Sequence, residues 1–447
     1  MIRRVFTLVN VTTLTLSITG VLYISNAHAA AFQLKENSAK ALGRSFAGAA
    51  SAQDDAAIIV NNPAGMRQLD GRQFQVDLST VKFSAEYRGN PGIYRNGNPI
   101  GGGNGGDAGM VALLPDSYFH MPFGDNNNVH LGATLNAPFG FSTKYDRNWT
   151  GRYHGIYSKL QAIDLGIAVS YDVNPYVSFG GAVFAERLNV NLSNAIDFGS
   201  ILNARRVPSF SPGSADGYSH IEGHDTSMGF TLGGLFSPDE KTHIGFSYRS
   251  EVKHNANNGN AHFTVPENAA AVLAVAAPGT FINTKIKSTI RLPASATTSF
   301  THAIDDRWSI MAEVTRTAWS KFDKITIHFA SSQPNNVLNF SYRDTTFVAL
   351  GTEYRFNDML TLRGGLAYDQ TPTTAEYRSA RVPDNSRTWI SLGMTWKPSK
   401  QTDYNIGYAH LFIDHPTITQ ISATGSTLAG AYNINADLLA TSINYKF

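Results

Sequence analysis

Residues 438–447, LLATSINYKF, put Leu439, Thr441, Ile443, Tyr445 and Phe447 on one face and Ala440, Ser442, Asn444 and Lys446 on the other. A period of two with one greasy face describes a strand with one side against an apolar medium. The signature recurs. Ile163, Leu165, Ile167, Val169 and Tyr171 share a face, as do Thr388, Ile390, Leu392, Met394 and Trp396, and Tyr404, Ile406, Tyr408, His410 and Phe412. Val348, Leu350, Thr352, Tyr354 and Phe356 run out, and Leu360, Leu362, Leu366 and Tyr368 return. A chain that repeats this pattern must bury one face of a long antiparallel sheet, so the fold class is all-β.

Fourteen such runs are expected, near 71–88, 109–122, 129–145, 157–172, 175–192, 220–237, 241–254, 286–304, 307–322, 338–356, 359–370, 386–397, 402–413 and 432–447. The connections alternate between short ones (such as 173–174 and 305–306) and long ones (such as 193–219 and 255–285). An even strand count with short turns at one end and long loops at the other predicts a 14-stranded antiparallel transmembrane β-barrel with both termini on the periplasmic side. Composition agrees. Only 16% of residues are charged, Phe (26) and Tyr (19) are plentiful, yet mean hydropathy is slightly negative. That combination excludes a helical membrane protein and suits a barrel, in which one strand face meets lipid. There is no cysteine, so disulfides and thiolate metal sites are excluded.

Arg3 and Arg4, the mostly apolar or Thr/Ser stretch from Val5 to Ile24, and Ala27-His28-Ala29 read as a secretory signal peptide over 1–29. Asn10 and the Thr/Ser content disfavour a membrane anchor. Removing the two arginines takes the formal charge from +2 to zero, which gives no basic surface for nucleic acid.

Three stretches break the pattern. In the first strand Phe74, Val76 and Leu78 alternate with Val81, Phe83, Ala85 and Tyr87 out of phase, which predicts a bulge near Thr80. In the third, LNAPFGFSTKY carries Pro138 and Gly140 in mid-strand. A proline cannot donate to the ladder, so the wall should open there. The segment DDAAIIVNNPAGMRQLD (Asp54 to Asp70) has no period of two and closes on the turn-forming Asn62-Pro63-Ala64-Gly65. It reads as a plug.

Ala30 to Met66, AAFQLKENSAKALGRSFAGAASAQDDAAIIVNNPAGM, resembles the opening of mature FadL-type long-chain fatty acid transporters. Further matching stretches begin at LNAPFGFSTKYDRNWTGRYHGIYSKLQAIDLG, LRGGLAYDQTPTTAEYRSARVPDNSRTWISLG and YNIGYAHLFIDHP. The resemblance spans nearly the whole mature chain. It implies an N-terminal hatch over 30–70 inside a barrel over 71–447, with Asn61, Asn62, Pro63, Ala64 and Gly65 as the hatch turn. It implies capture of a hydrophobic ligand outside, transfer to an interior pocket, and lateral release at Asn136, Ala137, Pro138, Phe139 and Gly140. The hatch is the expected partner for unpaired backbone at that kink. A fatty acid head group needs a cation. Arg187 is expected on the polar side of its strand, opposite Leu188, Val190 and Leu192, near the family's head-group arginine, although a lumen salt bridge with Glu186 would use it equally well. The ammonium of Ala30 is a second candidate.

The partners so implied are a long-chain fatty acid or another hydrophobic small molecule and outer-membrane lipid, with no nucleic acid, for a barrel acting as a monomer. No cofactor, metal or enzymatic role is expected. GGGNGG (Gly101 to Gly106) lacks the lysine and helix of a phosphate cradle, the histidines lack metal spacing, Asp54 and Asp55 are adjacent and read as solvated or capping, and no lipase-like motif is present. The alternative within the family is uptake of aromatic or other hydrocarbons. A passive porin would need no hatch.

Overall fold

The computed structural model describes residues 32–52, 55–124 and 126–447. The expected signal peptide, Ala30 and Asp54 lie outside the described residues. Nineteen strand segments form one closed sheet, and five of them continue a neighbour beyond a break, so the wall has fourteen strands. They are β1 (Gln73–Gly89), β2 (Val111–Phe123), β3 (Val129–Lys144), β4 (Tyr157–Asn174), β5 (Val177–Asp197), β6 (Asp216–Phe236), β7 (Thr242–Arg249 and Val252–Thr264) and β8 (Thr284–Leu292 and Ser295–Ala303). The rest are β9 (Trp308–Thr317 and Lys324–Phe329), β10 (Asn336–Asn339 and Thr345–Arg355), β11 (Leu360–Asp369), β12 (Arg387–Trp396), β13 (Thr402–Ile413 and Thr417–Ile421) and β14 (Thr427–Lys446). Antiparallel pairing of β1 with β14 closes the ring. Among the described residues no helix is long and apolar enough to cross a membrane.

Leu165, Ile167, Leu232, Leu350, Leu366, Leu392 and Phe412 are exposed on the outer face, the apolar band that lipid would cover. Several stretches expected as loops continue the wall past the band: residues 255–264 (the upper part of Val252–Thr264), Lys324–Phe329 and Thr417–Ile421 are strand.

The expected bulge near Thr80 is absent. β1 pairs with β14 in unbroken register from Gln73↔Lys446 to Gly89↔Gly430. What changes is the chemistry of the inner face, which turns from Gln73, Gln75, Asp77 and Ser79 to Val81, Ala85 and Tyr87, all buried. Lys82 and Arg88 are exposed on the outer face beyond the lipid band. Above the membrane the outside is wet, so the greasy side of a strand turns inward.

Residues 32–52 and 55–70 fill the lower interior. Helices α1 (Ala39–Leu42) and α2 (Ile58–Asn61) and a 3-10 turn (Pro63–Gln68) are almost wholly buried. Wall glycines let the segment's backbone lie flat on the strands. A Cβ at Gly245 would stand 2.0 Å from the Ala50 carbonyl oxygen, at Gly365 2.2 Å from the Arg44 carbonyl carbon, and at Gly407 2.4 Å from the Ala39 oxygen.

Candidate functional site: an apolar interior beside an interrupted wall

The β2–β3 ladder stops at Ser117↔Leu135, and the β3–β4 register shifts between Asn136 and Phe139. The proline in NAPFG leaves a gap, and the N-terminal segment fills it. Leu34 N–H donates to the Pro138 carbonyl (2.8 Å), Gly140 N–H to the Phe32 carbonyl (2.8 Å), and Gln33 bridges Phe139. The Ala137 amide donates to Asp116 Oδ1 at 3.1 Å.

Phe32 stands in an apolar cluster with Phe139, Phe141, Leu160, Leu188 and Trp319, continued by Phe322, Phe340, Tyr342 and Val382. Its ring lies 4.7 Å from Trp319, 4.9 Å from Phe322 and 5.6 Å from Phe141, centroid to centroid. Two donors in this nest, the Trp319 indole N–H and the Tyr342 hydroxyl, have no hydrogen-bond partner among the described residues. Burial without a partner costs about 1–3 kcal/mol per group, so a ligand oxygen would be welcome there. Trp319 and the Phe340–Tyr342 turn reach the interior because β9 and β10 both break at that height.

Below the nest a cavity of about 100 Å³ is lined by Gln33, Leu34, Lys35, Asn136, Pro138 and Arg249 among others. That is below the roughly 300–1,000 Å³ usual for ligand pockets, so residues 32–35 would have to shift for a ligand to pass. Near the loop end, a second cavity of about 280 Å³ lies among Ile196, Ile201, Ile221, Phe263, Phe281 and Phe329.

Most interior cations are neutralised. Arg249 spans Asp164 (2.8 Å) and Glu186 (2.7 Å). Lys40 meets Asp403 at 3.3 Å, and Arg44 and Arg363 share Glu353, each at 2.6 Å. Arg381 differs. In the 370–386 loop beside Val382, it is 9% exposed and makes no ion pair among the described residues. Its guanidinium donates to Ser158 Oγ (3.0 Å), the Ser193 carbonyl (3.2 Å) and Asn194 Oδ1 (3.1 Å). Burial lowers its pKa to about 10, the mark of a charge without a nearby anion.

Arg187, expected in the lumen, is on the outside. The buried neighbours Phe184, Glu186 and Leu188 face inward, and Arg187 is exposed, donating to Thr226 Oγ1 at 3.2 Å. The reason is that found in β1: the upper part of β5 stands above the lipid band, where Leu188 and Val190 line the interior. Arg381 lay inside the YRSARVPDNSR stretch; an arginine between Ala380 and Val382, with no acid adjacent, was the available signal.

In the turn, Asn62 caps the 3-10 segment. Its Oδ1 accepts from Ala64 N–H at 3.2 Å and its Nδ2 donates to the Ala50 (2.8 Å) and Gly234 (3.1 Å) carbonyls. Asn61 Oδ1 accepts from Asn37 at 2.9 Å. Pro63, Ala64 and Gly65 are buried, and Ser178 donates to the Ala64 carbonyl at 2.8 Å. Asp55 is buried, accepting from Ser38 (2.6 Å), Gln75 (3.0 Å) and the Ala57 amide (3.1 Å). Among the described residues no cluster of His, Asp and Glu could hold a metal ion.

Residues 20–447 match the family described as Outer membrane protein transport protein (OMPP1/FadL/TodX). The long-chain fatty acid transport protein of Escherichia coli O6:H1 is 26% identical over 97% of this chain and 98% of its own length. Outer membrane protein P1 of Haemophilus influenzae is 29% identical over 96% and 97%. The crystal structure of a Pseudomonas aeruginosa FadL homologue superposes with a TM-score of 0.86 at 25% identity, covering 93% of this chain and 99% of that one. The Pseudomonas putida toluene transporter TodX shares the fold, with a TM-score of 0.66 at 17% identity over 94% and 100% of the two chains. With a fourteen-stranded wall, an interior segment folded against it and a family match over nearly its full length, the chain belongs to the FadL/TodX family of outer-membrane transporters of hydrophobic compounds.

Proposed function

We propose that the protein takes up long-chain fatty acids and releases them sideways into the outer membrane at Asn136–Gly140, with residues 30–70 as the hatch. One observation carries this reading: residues 32–34 both occupy the apolar nest, through Phe32, and close the wall, through the bonds to Pro138 and Gly140. An acyl tail that takes the place of Phe32 pulls the same residues from the gap, so filling the pocket and opening the wall are one movement. The free energy is sufficient. At about 0.8 kcal/mol per buried methylene a long tail gains roughly ten kcal/mol, against two backbone hydrogen bonds at about 1 kcal/mol each. Sideways release also keeps the tail out of water.

The loop cavity at Ile201, Phe263 and Phe281 serves as the landing site. Arg381, at the edge of the nest beside Val382, receives the carboxylate. A hydrocarbon has no use for that charge, so the cation favours an acid over toluene.

Uptake of radiolabelled oleate and toluene by cells lacking their own transporter tests this. Oleate should enter with the wild type, and Arg381→Ala should lower its uptake roughly tenfold, the scale of a lost charged hydrogen bond, with Arg381→Lys partly restoring it. Toluene uptake without oleate uptake would replace this reading with the hydrocarbon one.

A further inference from the structure

The misplaced Arg187 belongs to a larger arrangement. A strand crosses the apolar layer in about 9–11 residues. Counting about eleven residues from the short-turn end of each strand brings β4 to Asp164, β5 to Arg187, β7 to Val252, β8 to Pro293 and β9 to Ala318. At or just beyond this level the outer face carries Lys159, Arg187, Lys253, Arg291, Lys287, Arg316, Lys321 and Lys324, all but the half-buried Lys159 exposed. On the opposite side of the barrel the outer face carries Asp414 and Asp437 with Lys82 and Arg88. The ring at the head-group layer is therefore basic on balance over β4–β9, where Glu222, Glu251 and Asp344 are outnumbered by the cations.

At the centre of the basic arc the wall is incomplete. Above Ser295↔Thr317 the β8–β9 ladder lapses, resuming only at His328↔Lys287 and Phe329↔Ile286. A cavity of about 410 Å³ lies there, lined by Lys287, Arg291, Lys321, Lys324 and His328, with Asn257, Ser288 and Thr289. Asp323 is the one carboxylate lining it. Lys253 stands directly opposite Arg291 across the strands. Like charges so placed destabilise a sheet. Glu251 pairs with Arg291 and Asp344 lies 3.8 Å from Arg316, but Lys287, Lys321 and Lys324 have no ion pair among the described residues. The Ser288 hydroxyl also lacks a partner among the described residues.

We propose that this cavity is a binding site for the phosphate head group of an outer-leaflet lipid, with Lys287, Arg291, Lys321 and Lys324 as its cations. Clustered basic side chains at the head-group layer attract anionic lipid, and a phosphate relieves the repulsion between the facing Lys253 and Arg291. A bound lipid also covers the lapse in the β8–β9 ladder, which leads at its rear to Phe322 of the interior nest. The site does not rest on the identity of the transported ligand.

The test uses the full chain in maltoside micelles, with native mass spectrometry counting retained dioleoyl phosphatidic acid against dioleoyl phosphatidylcholine. The wild type should favour the phosphatidic acid roughly tenfold. Lys287→Gln, Arg291→Gln, Lys321→Gln and Lys324→Gln together should abolish the preference, whereas Lys82→Gln on the opposite side should keep it. Heat-dependent gel mobility verifies that each barrel is closed. An unchanged preference in the quadruple variant would overturn the site. Displacement of the lipid by an equal concentration of inorganic phosphate would make it a free-anion site and overturn the lipid assignment.

Discussion

The amide of Leu34 donates to the carbonyl of Pro138 across 2.8 Å, so the interior segment supplies the pairing that the third strand cannot make for itself. Leu34→Pro removes that donor and leaves a wall carbonyl unsatisfied, at a cost of about 1–3 kcal/mol. The chain has no native cysteine, so a single Gln33→Cys reports cleanly. Its labelling by a water-soluble maleimide should be slow alone and at least several-fold faster with Leu34→Pro. Equal rates would mean that this bond does not hold the segment in the gap.

Phe32→Ala should empty the centre of the aromatic nest. The loss for a buried phenylalanine is about 3–5 kcal/mol, seen as a lower unfolding temperature without ligand. A fatty acid no longer has to displace the ring, so its affinity should rise, measured by quenching of Trp319 on titration with a brominated fatty acid. Weaker binding would show that Phe32 is part of the site and not its occupant.

Gly245→Val and Gly365→Val should unseat the interior segment while the barrel still closes. Each Cβ falls within 2.2 Å of that segment's backbone, and overpacking of this kind costs about 1–3 kcal/mol or more. In planar bilayers the variants should conduct ions more often than the wild type, with normal heat-dependent mobility. A silent variant would mean the segment tolerates the crowding.

Glu36 supplies a pH dependence. Burial raises its pKa to about 7, with hydrogen bonding from the local backbone and the charge of Arg387 opposing the rise and Asp369 adding to it. The folded protein holds this proton more tightly than the unfolded chain, so stability is greatest below pH 4.5. It falls as pH rises from there to about 7, by roughly 3 kcal/mol in all. Thermal melts between pH 4.5 and 8 should show a steeper decline for the wild type than for Glu36→Gln. Parallel curves would remove Glu36 from the account.

Alternation in stretches such as Leu439–Phe447 was enough to determine a closed sheet with one side in lipid, because period two is a local property and a barrel leaves no other place for so many half-greasy strands. Pro138 likewise declared the break in the wall, since a missing N–H is a covalent fact. The inside–outside assignment of Arg187 and of Val81–Tyr87 was decided only by the tertiary structure. Which face of a strand is wet depends on its height relative to the membrane, and height is set by strand register and tilt around the whole ring. The pairing of Leu34 with Pro138, the lone charge of Arg381 and the basic arc through Lys287 have the same origin. Each joins residues distant in sequence whose chemistry has meaning only once the barrel closes.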